Sequence, residues 1–388
     1  MRVEVCVVGL MLMLGVGARA QRPVPYASIA AEGERYAGPG RAAVNDLTGK
    51  VVRIGLLVPL RGAQKAEGDA MVAAAQMALR DAGGDVLPGG RRLALAVRDE
   101  SGPSWGVVSD AVIELVMEEE AVAVITSSSG VDAHLCEQVG NRIGVPVLTL
   151  AADATTTQID IPWIFRMGAS DVTEARVMAE EVYRERRLTR VMVVTVQDHD
   201  GLRGVEAMKD AATAVGVAEA EVIAMDPLRP DVGDVVKRMV AEAPEAVVVW
   251  TNAETAGSLL RSMKAAGVKT ICFLPEAAAE AGYGVSNSSG ESVWTVGGEG
   301  ENAVVHGDFS RRYAQAMGVR PSVAAMETYD AVTVTVRALR RAGANRARVR
   351  DELAKVQGFD GVAGRVSFDG EGNNTTALHL VRLGEVHE

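Results

Sequence analysis

The chain has 388 residues, of which 48% are hydrophobic, 23% are charged and 4% are aromatic, and its net charge is −11. That length is more than one hydrophobic core usually fills, so two domains are expected. The acidic balance argues against nucleic acid and anionic membrane surfaces as partners, and no segment after residue 20 is apolar over the length of a membrane span.

Residues 1–20 have the outline of a secretory signal peptide. Arg2 precedes an apolar run, Val5–Val16, and Ala18-Arg19-Ala20 offers small residues for cleavage. The run is short for a membrane span, and an uncleaved anchor is the alternative. We therefore predict export to the periplasm, with cleavage after Ala20.

Residues 21–50 combine Pro, Gly, Ala and charged residues without apolar periodicity, which predicts a flexible N-terminal extension. From residue 51 onward, apolar runs of strand length alternate with segments of helical periodicity. Strands are predicted at 51–58, 93–97, 121–125, 145–150, 190–196, 220–225, 246–251, 270–274, 293–296, 365–368 and 377–383. Helices are predicted at 69–81, 105–118, 130–142, 171–187, 202–215, 231–242, 254–266, 302–317, 322–342 and 347–356. This alternation predicts an α/β protein with two doubly wound parallel sheets, and the last two strands are expected to be joined by the turn at 369–372.

The stretch 121–157 places two polar clusters at the ends of neighbouring strands. Ser127, Ser128 and Ser129 follow the first strand, and Asp153 and three threonines follow the second. A right-handed βαβ unit brings both clusters to the carboxyl edge of one sheet, where open α/β proteins bind ligands. Simple capping of the following helix by the serines is the alternative interpretation.

The sequence shows no signature of catalysis or of a cofactor. It has no G-x-G-x-x-G after a strand, no P-loop and no G-x-S-x-G elbow. The five histidines lack metal-ligand spacing, and His199 between Asp198 and Asp200 is interpreted as a solvated loop residue. We predict no cofactor, no metal site and no enzymatic activity; a hydrolase using Ser127 or Ser128 is an alternative without an evident histidine partner.

Two cysteines, Cys136 and Cys272, remain after removal of residues 1–20. They lie in a predicted helix and a predicted strand of different halves of the chain, and they form no C-x-x-C pair. Two buried free thiols are therefore expected, with a disulfide between them as the alternative.

Several short motifs stand in a fixed order between residues 51 and 384. They are Pro59-Leu60-x-Gly62, Ser127-Ser128-Ser129, Val145-Pro146-Val147, Trp163-Ile164-Phe165-Arg166, Leu274-Pro275-Glu276, Thr328-Tyr329-Asp330 and Phe359-Asp360-Gly361-Val362. In this order they resemble the type I periplasmic substrate-binding proteins of ABC importers, in particular the leucine/isoleucine/valine-binding branch. The resemblance implies two α/β lobes joined by three crossover segments, which close like a hinged trap on a small molecule.

The same resemblance suggests how the chain is divided. The N-terminal lobe is expected to comprise residues 51–169 and 297–342, and the C-terminal lobe residues 170–296 and 343–388. The crossings are expected near Gly168–Ser170, Val293–Gly297 and Ala342–Ala347. A membrane ABC permease is the implied partner, and the protein is expected to be a monomer that binds no nucleic acid.

The resemblance also implies where a ligand is held. In relatives, the serine run and the loop after the next strand bind the ligand's α-carboxylate, and an acid at the position of Glu276 binds its ammonium group. The residues that match the carboxylate site are Ser127, Ser128, Ser129, Ala151, Ala152 and Asp153. Neutral donors that face an anion, with one carboxylate that faces a cation, suit a zwitterion.

This sequence departs from the branched-chain-specific relatives around the ligand's side chain. Glu67, Asp200 and Asn252 stand at or within a residue of positions where those relatives have Trp or Tyr, and Asp153 stands where Thr is common. Acidic groups around a cleft disfavour a hydrophobic amino acid and favour a polar or cationic compound. We therefore expect an amino acid or a related polar or cationic nitrogen compound as the ligand. An envelope scaffold or regulator of the same fold, without import function, is the alternative.

Overall fold

The computed structural model of this protein describes residues 46–83, 87, 89–102, 104–157, 163–279, 293–298 and 303–383. The predicted signal peptide and residues 21–45 of the predicted extension lie outside the described residues. Residues 46–50 are anchored on the folded chain, because Asp46 bridges to Asn345 and the Leu47 N–H donates to the Ala344 carbonyl at 2.8 Å. The prediction of a flexible extension is therefore wrong for these last five residues.

Strands and helices alternate along the described chain, as the apolar periodicity predicts. The strands are β1 (Val51–Val58), β2 (Arg92–Asp99), β3 (Ala121–Thr126), β4 (Val147–Thr149), β5 (Ile164–Arg166), β6 (Val191–Val196), β7 (Glu221–Met225), β8 (Ala246–Trp250), β9 (Ile271–Leu274), β10 (Val293–Gly298), β11 (Phe359–Asp360), β12 (Arg365–Val366) and β13 (Leu378–Leu383). The helices are α1 (Lys65–Asp81), α2 (Ser104–Ile113), α3 (Gly130–Ile143), α4 (Asp171–Ala179), α5 (His199–Ala214), α6 (Val232–Glu242), α7 (Ala253–Ala265), α8 (Ala303–Met317), α9 (Val323–Ala342) and α10 (Arg346–Leu353). Single π-helical segments, Glu114–Glu118 and Glu180–Glu185, continue α2 and α4.

The first lobe is built on a parallel sheet in the order β2-β1-β3-β4-β5. All six residues of β3 are buried, which agrees with its unbroken apolar run, because helices cover both faces of such a sheet. The long helix α9 packs against α1 and contributes Val332 and Val336 to the core that also contains Ile54 and Leu56 of β1.

The second lobe has a six-stranded sheet in the order β13-β10-β9-β8-β6-β7. The strands from β10 to β7 run parallel, and β13 pairs antiparallel with β10. The lobe has its own core, in which Val249 of β8 and Leu259 of α7 are fully buried. Two α/β lobes on parallel-stranded sheets confirm the predicted fold class.

The chain passes between the lobes after β5, after β10 and after β12. The second crossing is predicted near Val293–Gly297; those residues pair with β9 and β13 and belong to the second sheet, so the crossing follows them. The third crossing is predicted near Ala342–Ala347, with residues 343–388 in the C-terminal lobe. That assignment is wrong for α10, β11 and β12, whose apolar residues Leu353, Phe359 and Val366 pack in the core of the first lobe.

The last two strands do not form the expected hairpin. β12 pairs with β11, and β13 adds to the edge of the second sheet, so the turn at 369–372 begins the third crossing instead. Cys136 and Cys272 are buried free thiols, as predicted. Within the described segments, no helix combines the length and apolar character needed to cross a bilayer.

Candidate ligand-binding cleft

A cavity of about 360 Å³ lies between the lobes, at the carboxyl ends of strands from both sheets. The first lobe contributes the start of α1, Ser128 after β3, Ala152 after β4 and the start of α9. The second lobe contributes Glu174 of α4, the start of α7 and Glu276 after β9. This volume falls in the range of small-molecule sites, which is roughly 300–1,000 Å³.

The cavity wall is strongly acidic. Of the described residues that line it, one is basic, Arg320. Five are glutamates, namely Glu67, Glu174, Glu254, Glu276 and Glu327. In its ionised form such a wall attracts cations and repels free carboxylates.

Glu67 occupies the hydroxyl and amide donors of Ser128. Its Oε1 accepts a hydrogen bond from Ser128 Oγ at 2.6 Å and from the Ser128 N–H at 3.3 Å. Gly68 permits this position of α1, because a Cβ there would lie 1.8 Å from the Pro59 carbonyl oxygen. Burial raises the pKa of Glu67, and the two bonds from Ser128 oppose that rise. The Glu67 carboxylate therefore occupies the donors of Ser128, at which the resemblance implies that the ligand's α-carboxylate binds.

Glu174, Glu276 and Glu327 form a second acidic group on the wall. Glu174 and Glu327 are only 2% and 7% exposed, and the Glu276 N–H donates to Glu174 Oε2 at 3.2 Å. Burial raises the pKa of both Glu174 and Glu327 well above the usual 4.5, and the charge of Glu276 raises both further. A cation placed among carboxyl groups that are so poorly solvated stabilises their ionised forms.

The helix starts hold these acids in place. Ser170 caps α4 by accepting from the Thr173 N–H at 3.2 Å, which fixes the first turn that carries Glu174. Ser322 caps α9 in the same way, at the start of the helix that carries Glu327. At the first crossing, a Cβ on Gly168 would lie 2.2 Å from Glu327 Oε1, so a larger residue there would shift the Glu327 carboxylate.

The structure brings five of the ten sequence-predicted site residues to the cavity: Glu67, Ser128, Ala152, Asn252 and Glu276. Sequence reasoning missed Glu174 and Glu327. A signal existed, because Glu174 shares the buried face of α4 with Ala175 and Met178 at helical spacing, and Glu327 shares that of α9 with Ala331. A glutamate on the buried side of a helix is a candidate for function.

The other five predicted residues, Ser127, Ser129, Ala151, Asp153 and Asp200, are not among the described residues that line the cavity. Ser129 caps α3 by accepting from the Asp132 N–H, and Ser127 Oγ accepts from the Ser129 N–H at 3.3 Å. Capping, the alternative interpretation of the serine run, therefore holds for Ser129. Ala151 is buried, and its N–H donates to Thr149.

Asp153 and Asp200 instead make contacts across the two lobes. Asp200 accepts from the Gly130 N–H at 3.1 Å. Asp153 Oδ2 lies 2.6 Å from His199 Nε2 of the second lobe and 3.1 Å from His134 Nε2 of the first. The interpretation of His199 as a solvated loop residue is wrong, because it is the first residue of α5 and contacts a buried carboxylate. These three side chains are of the types that bind transition metals, although their sequence spacing predicted no such site.

Comparison with known proteins agrees with this architecture. The sequence pattern of the family described as periplasmic binding protein matches residues 51–388. A Leu/Ile/Val-binding protein homologue of Brucella melitensis is 25% identical over 265 residues, which are 67% of each chain. The leucine-binding protein of Thermotoga maritima superposes with a TM-score of 0.75 at 18% identity, covering 86% of this chain and 96% of its own. A solute-binding protein of Rhodopseudomonas palustris in complex with 3,4-dihydroxybenzoic acid superposes with a TM-score of 0.76 at 18% identity, covering 86% and 93%. The chain therefore belongs to the type I periplasmic binding protein family.

Proposed function

We propose that this protein is the extracytoplasmic solute-binding component of an ABC importer and that it captures an organic cation between its lobes. The observation that carries the proposal is the acidic wall, in which Glu67, Glu174, Glu276 and Glu327 face one cavity. Structural relatives bind leucine in one case and a hydroxylated benzoate in another, so the side chains of the cleft decide the ligand. Export by residues 1–20, delivery to a membrane permease and a monomeric state belong to the same proposal.

The contact between Glu67 and Ser128 favours cations that carry no carboxylate as the ligands of this cleft. An amino acid would have to displace Glu67 from both donors of Ser128 and would place a second anion beside it. An amine or guanidinium needs no such displacement and gains ionic hydrogen bonds from the glutamates. The proposed ligand class is therefore an alkylamine or alkylguanidine, with its cationic end among Glu174, Glu276 and Glu327.

Thermal-shift measurements with matched pairs of compounds test this function. Agmatine and arginine, putrescine and ornithine, and cadaverine and lysine each differ only in the α-carboxylate. We expect the first member of at least one pair to raise the melting temperature more than the second, since a ligand that binds only the folded state stabilises it. Stabilisation by leucine or benzoate instead would contradict the proposed ligand class. Stabilisation by none of these compounds would favour the scaffold alternative.

The buried glutamates also predict a dependence on pH. Because the pKa values of Glu67, Glu174 and Glu327 are raised in the folded protein, the ligand-free fold binds more protons than the unfolded chain above pH 4.5. Its free energy of unfolding should therefore fall as the pH rises above 4.5, and burial of Asp330, whose pKa is raised to about 7, adds to this fall.

Affinity for a cation should change in the opposite direction, because the cation favours the ionised carboxylates. We expect the dissociation constant for agmatine to decrease as the pH rises through the same range, with release of protons on binding. Calorimetry in buffers of different ionisation enthalpy measures that release directly. A dissociation constant that stays constant between pH 5 and 8 would show that no carboxyl group with a raised pKa contributes to binding of the cation.

A further inference from the structure

We propose that His134, Asp153 and His199 form a binding site for a divalent transition-metal ion, of the zinc class, that spans the two lobes. Both histidine Nε2 atoms point at the same carboxylate oxygen, at 3.1 Å and 2.6 Å. The three ligand atoms all lie within 4.8 Å of one another, so side-chain rotations can bring them to bonds of about 2 Å on a common ion. Two imidazoles and one carboxylate with a further open position are a common zinc ligand set.

The surroundings orient these ligands as a metal site requires. His134 Nδ1 lies 3.2 Å from Oε2 of Glu137, which is 1% exposed and whose Oε1 has no partner among the described groups. A carboxylate on Nδ1 fixes the tautomer in which Nε2 carries the lone pair, which is the usual outer contact of a metal-bound histidine. The other oxygen of Asp153, Oδ1, accepts from the N–H of Thr155 at 2.8 Å and from its hydroxyl at 2.6 Å, which leaves Oδ2 for the ion.

The local charge is compatible with a divalent cation. Asp153 and Glu137 are both buried. Two guanidinium groups lie close to Asp153: Arg166 donates to its backbone carbonyl at 2.8 Å, and Arg203 Nε lies 3.5 Å from its Oδ1, so both of these contacts are to atoms other than Oδ2. Without a metal, His134 Nδ1 faces Glu137, and its Nε2 lies 3.1 Å from Asp153 Oδ2 and 2.9 Å from Thr155 Oγ1. An ion would replace the contacts of Nε2 with a coordinate bond.

The site is divided between the lobes, which gives the ion a structural role. His134 and Asp153 belong to the first lobe, and His199 begins α5 in the second. An open protein therefore offers only two of the three ligands, and full coordination requires closure. The metal would favour the closed form irrespective of the solute.

Titration of the full mature chain with ZnCl₂, after removal of metals with a chelator, tests the site by calorimetry. We expect one zinc per chain and a rise in melting temperature with zinc. His199→Ala is expected to weaken zinc binding by at least about 100-fold, and Glu137→Gln by about 10- to 100-fold through loss of the outer carboxylate. The matched control is His379→Ala, which removes an exposed histidine of β13 and should leave binding unchanged.

Cobalt provides a spectroscopic test of the coordination geometry. Co²⁺ bound by two imidazoles and a carboxylate in four-coordinate geometry should give intense visible d–d absorption, which His199→Ala should remove while the far-UV circular dichroism stays unchanged. No zinc binding by the folded wild-type chain, or equal binding by the His199→Ala and His379→Ala variants, would overturn the proposal and identify the cluster as a hydrogen-bonded contact only.

Discussion

Replacement of Glu67 with alanine is expected to reverse the preference of the cleft for agmatine over arginine. The affinity for arginine should rise relative to the affinity for agmatine. In the wild type, Glu67 accepts from both donors of Ser128. Its removal frees these donors for an α-carboxylate and removes one negative charge that repels it. A hydrogen bond to a charged group contributes about 1.5–3 kcal/mol, so the ratio of the two dissociation constants should change by about 100-fold.

Calorimetric titration of both compounds into both proteins measures that ratio. Asp69→Ala is the matched control, since Asp69 lies on the same helix, is exposed and contacts Lys65 at the surface. The control should leave the ratio at its wild-type value. If Glu67→Ala also leaves it unchanged, Glu67 does not exclude carboxylates and that part of the account is wrong.

Replacement of Glu327 with glutamine is expected to stabilise the ligand-free protein while it weakens binding of the cation. Glu327 is buried, and its pKa is raised by burial and then by Glu276 and Glu174. Glutamine has no carboxyl group to ionise, so the replacement should raise the free energy of unfolding above pH 4.5, where the raised pKa of Glu327 lowers it. The cation loses a buried ionic partner, so its affinity should fall by about 100-fold or more.

Chemical denaturation without ligand and calorimetry with agmatine measure the two effects separately. Glu254→Gln is the matched control, because Glu254 lines the same cavity but is exposed and its charge remains solvated. We expect that control to change both quantities little. A Glu327→Gln protein that is less stable and binds agmatine normally would identify Glu327 as a structural residue.

The sequence predicts the fold well because local patterns determine it. The apolar runs of β1 and β3 and the periodic helices between them appear at nearly the predicted bounds. The third crossing could not be predicted in the same way. β11 and β12 have two residues each, too few to show a periodicity, and only packing reveals that Phe359 and Val366 belong to the first lobe.

The site is only partly predictable for a related reason. Glu276 and Ser128 follow strands, so the topology places them at the sheet edges without further information. Glu174 and Glu327 lie on helices, where a glutamate usually faces solvent, and only the packing of α4 and α9 turns them toward the cavity. Asp153 also follows a strand, but its carboxylate contacts His134 and His199 and does not line the cavity.

The metal ligands show the largest gap between sequence and structure. His134, Asp153 and His199 are far apart along the chain, and two of them lie in one lobe and the third in the other. No spacing rule relates His199 to two residues that it meets only across the gap between two lobes. Their proximity is therefore a property of the closed arrangement of the lobes.

Native mass spectrometry of the mature protein purified from its own cells tests the central claim most directly, because it measures the mass of any small molecule that is bound in the cleft. The account predicts a bound small molecule that carries an amine or guanidine and no carboxyl group, and that is lost in the Glu327→Gln variant. A bound branched-chain amino acid or aromatic carboxylate would contradict it.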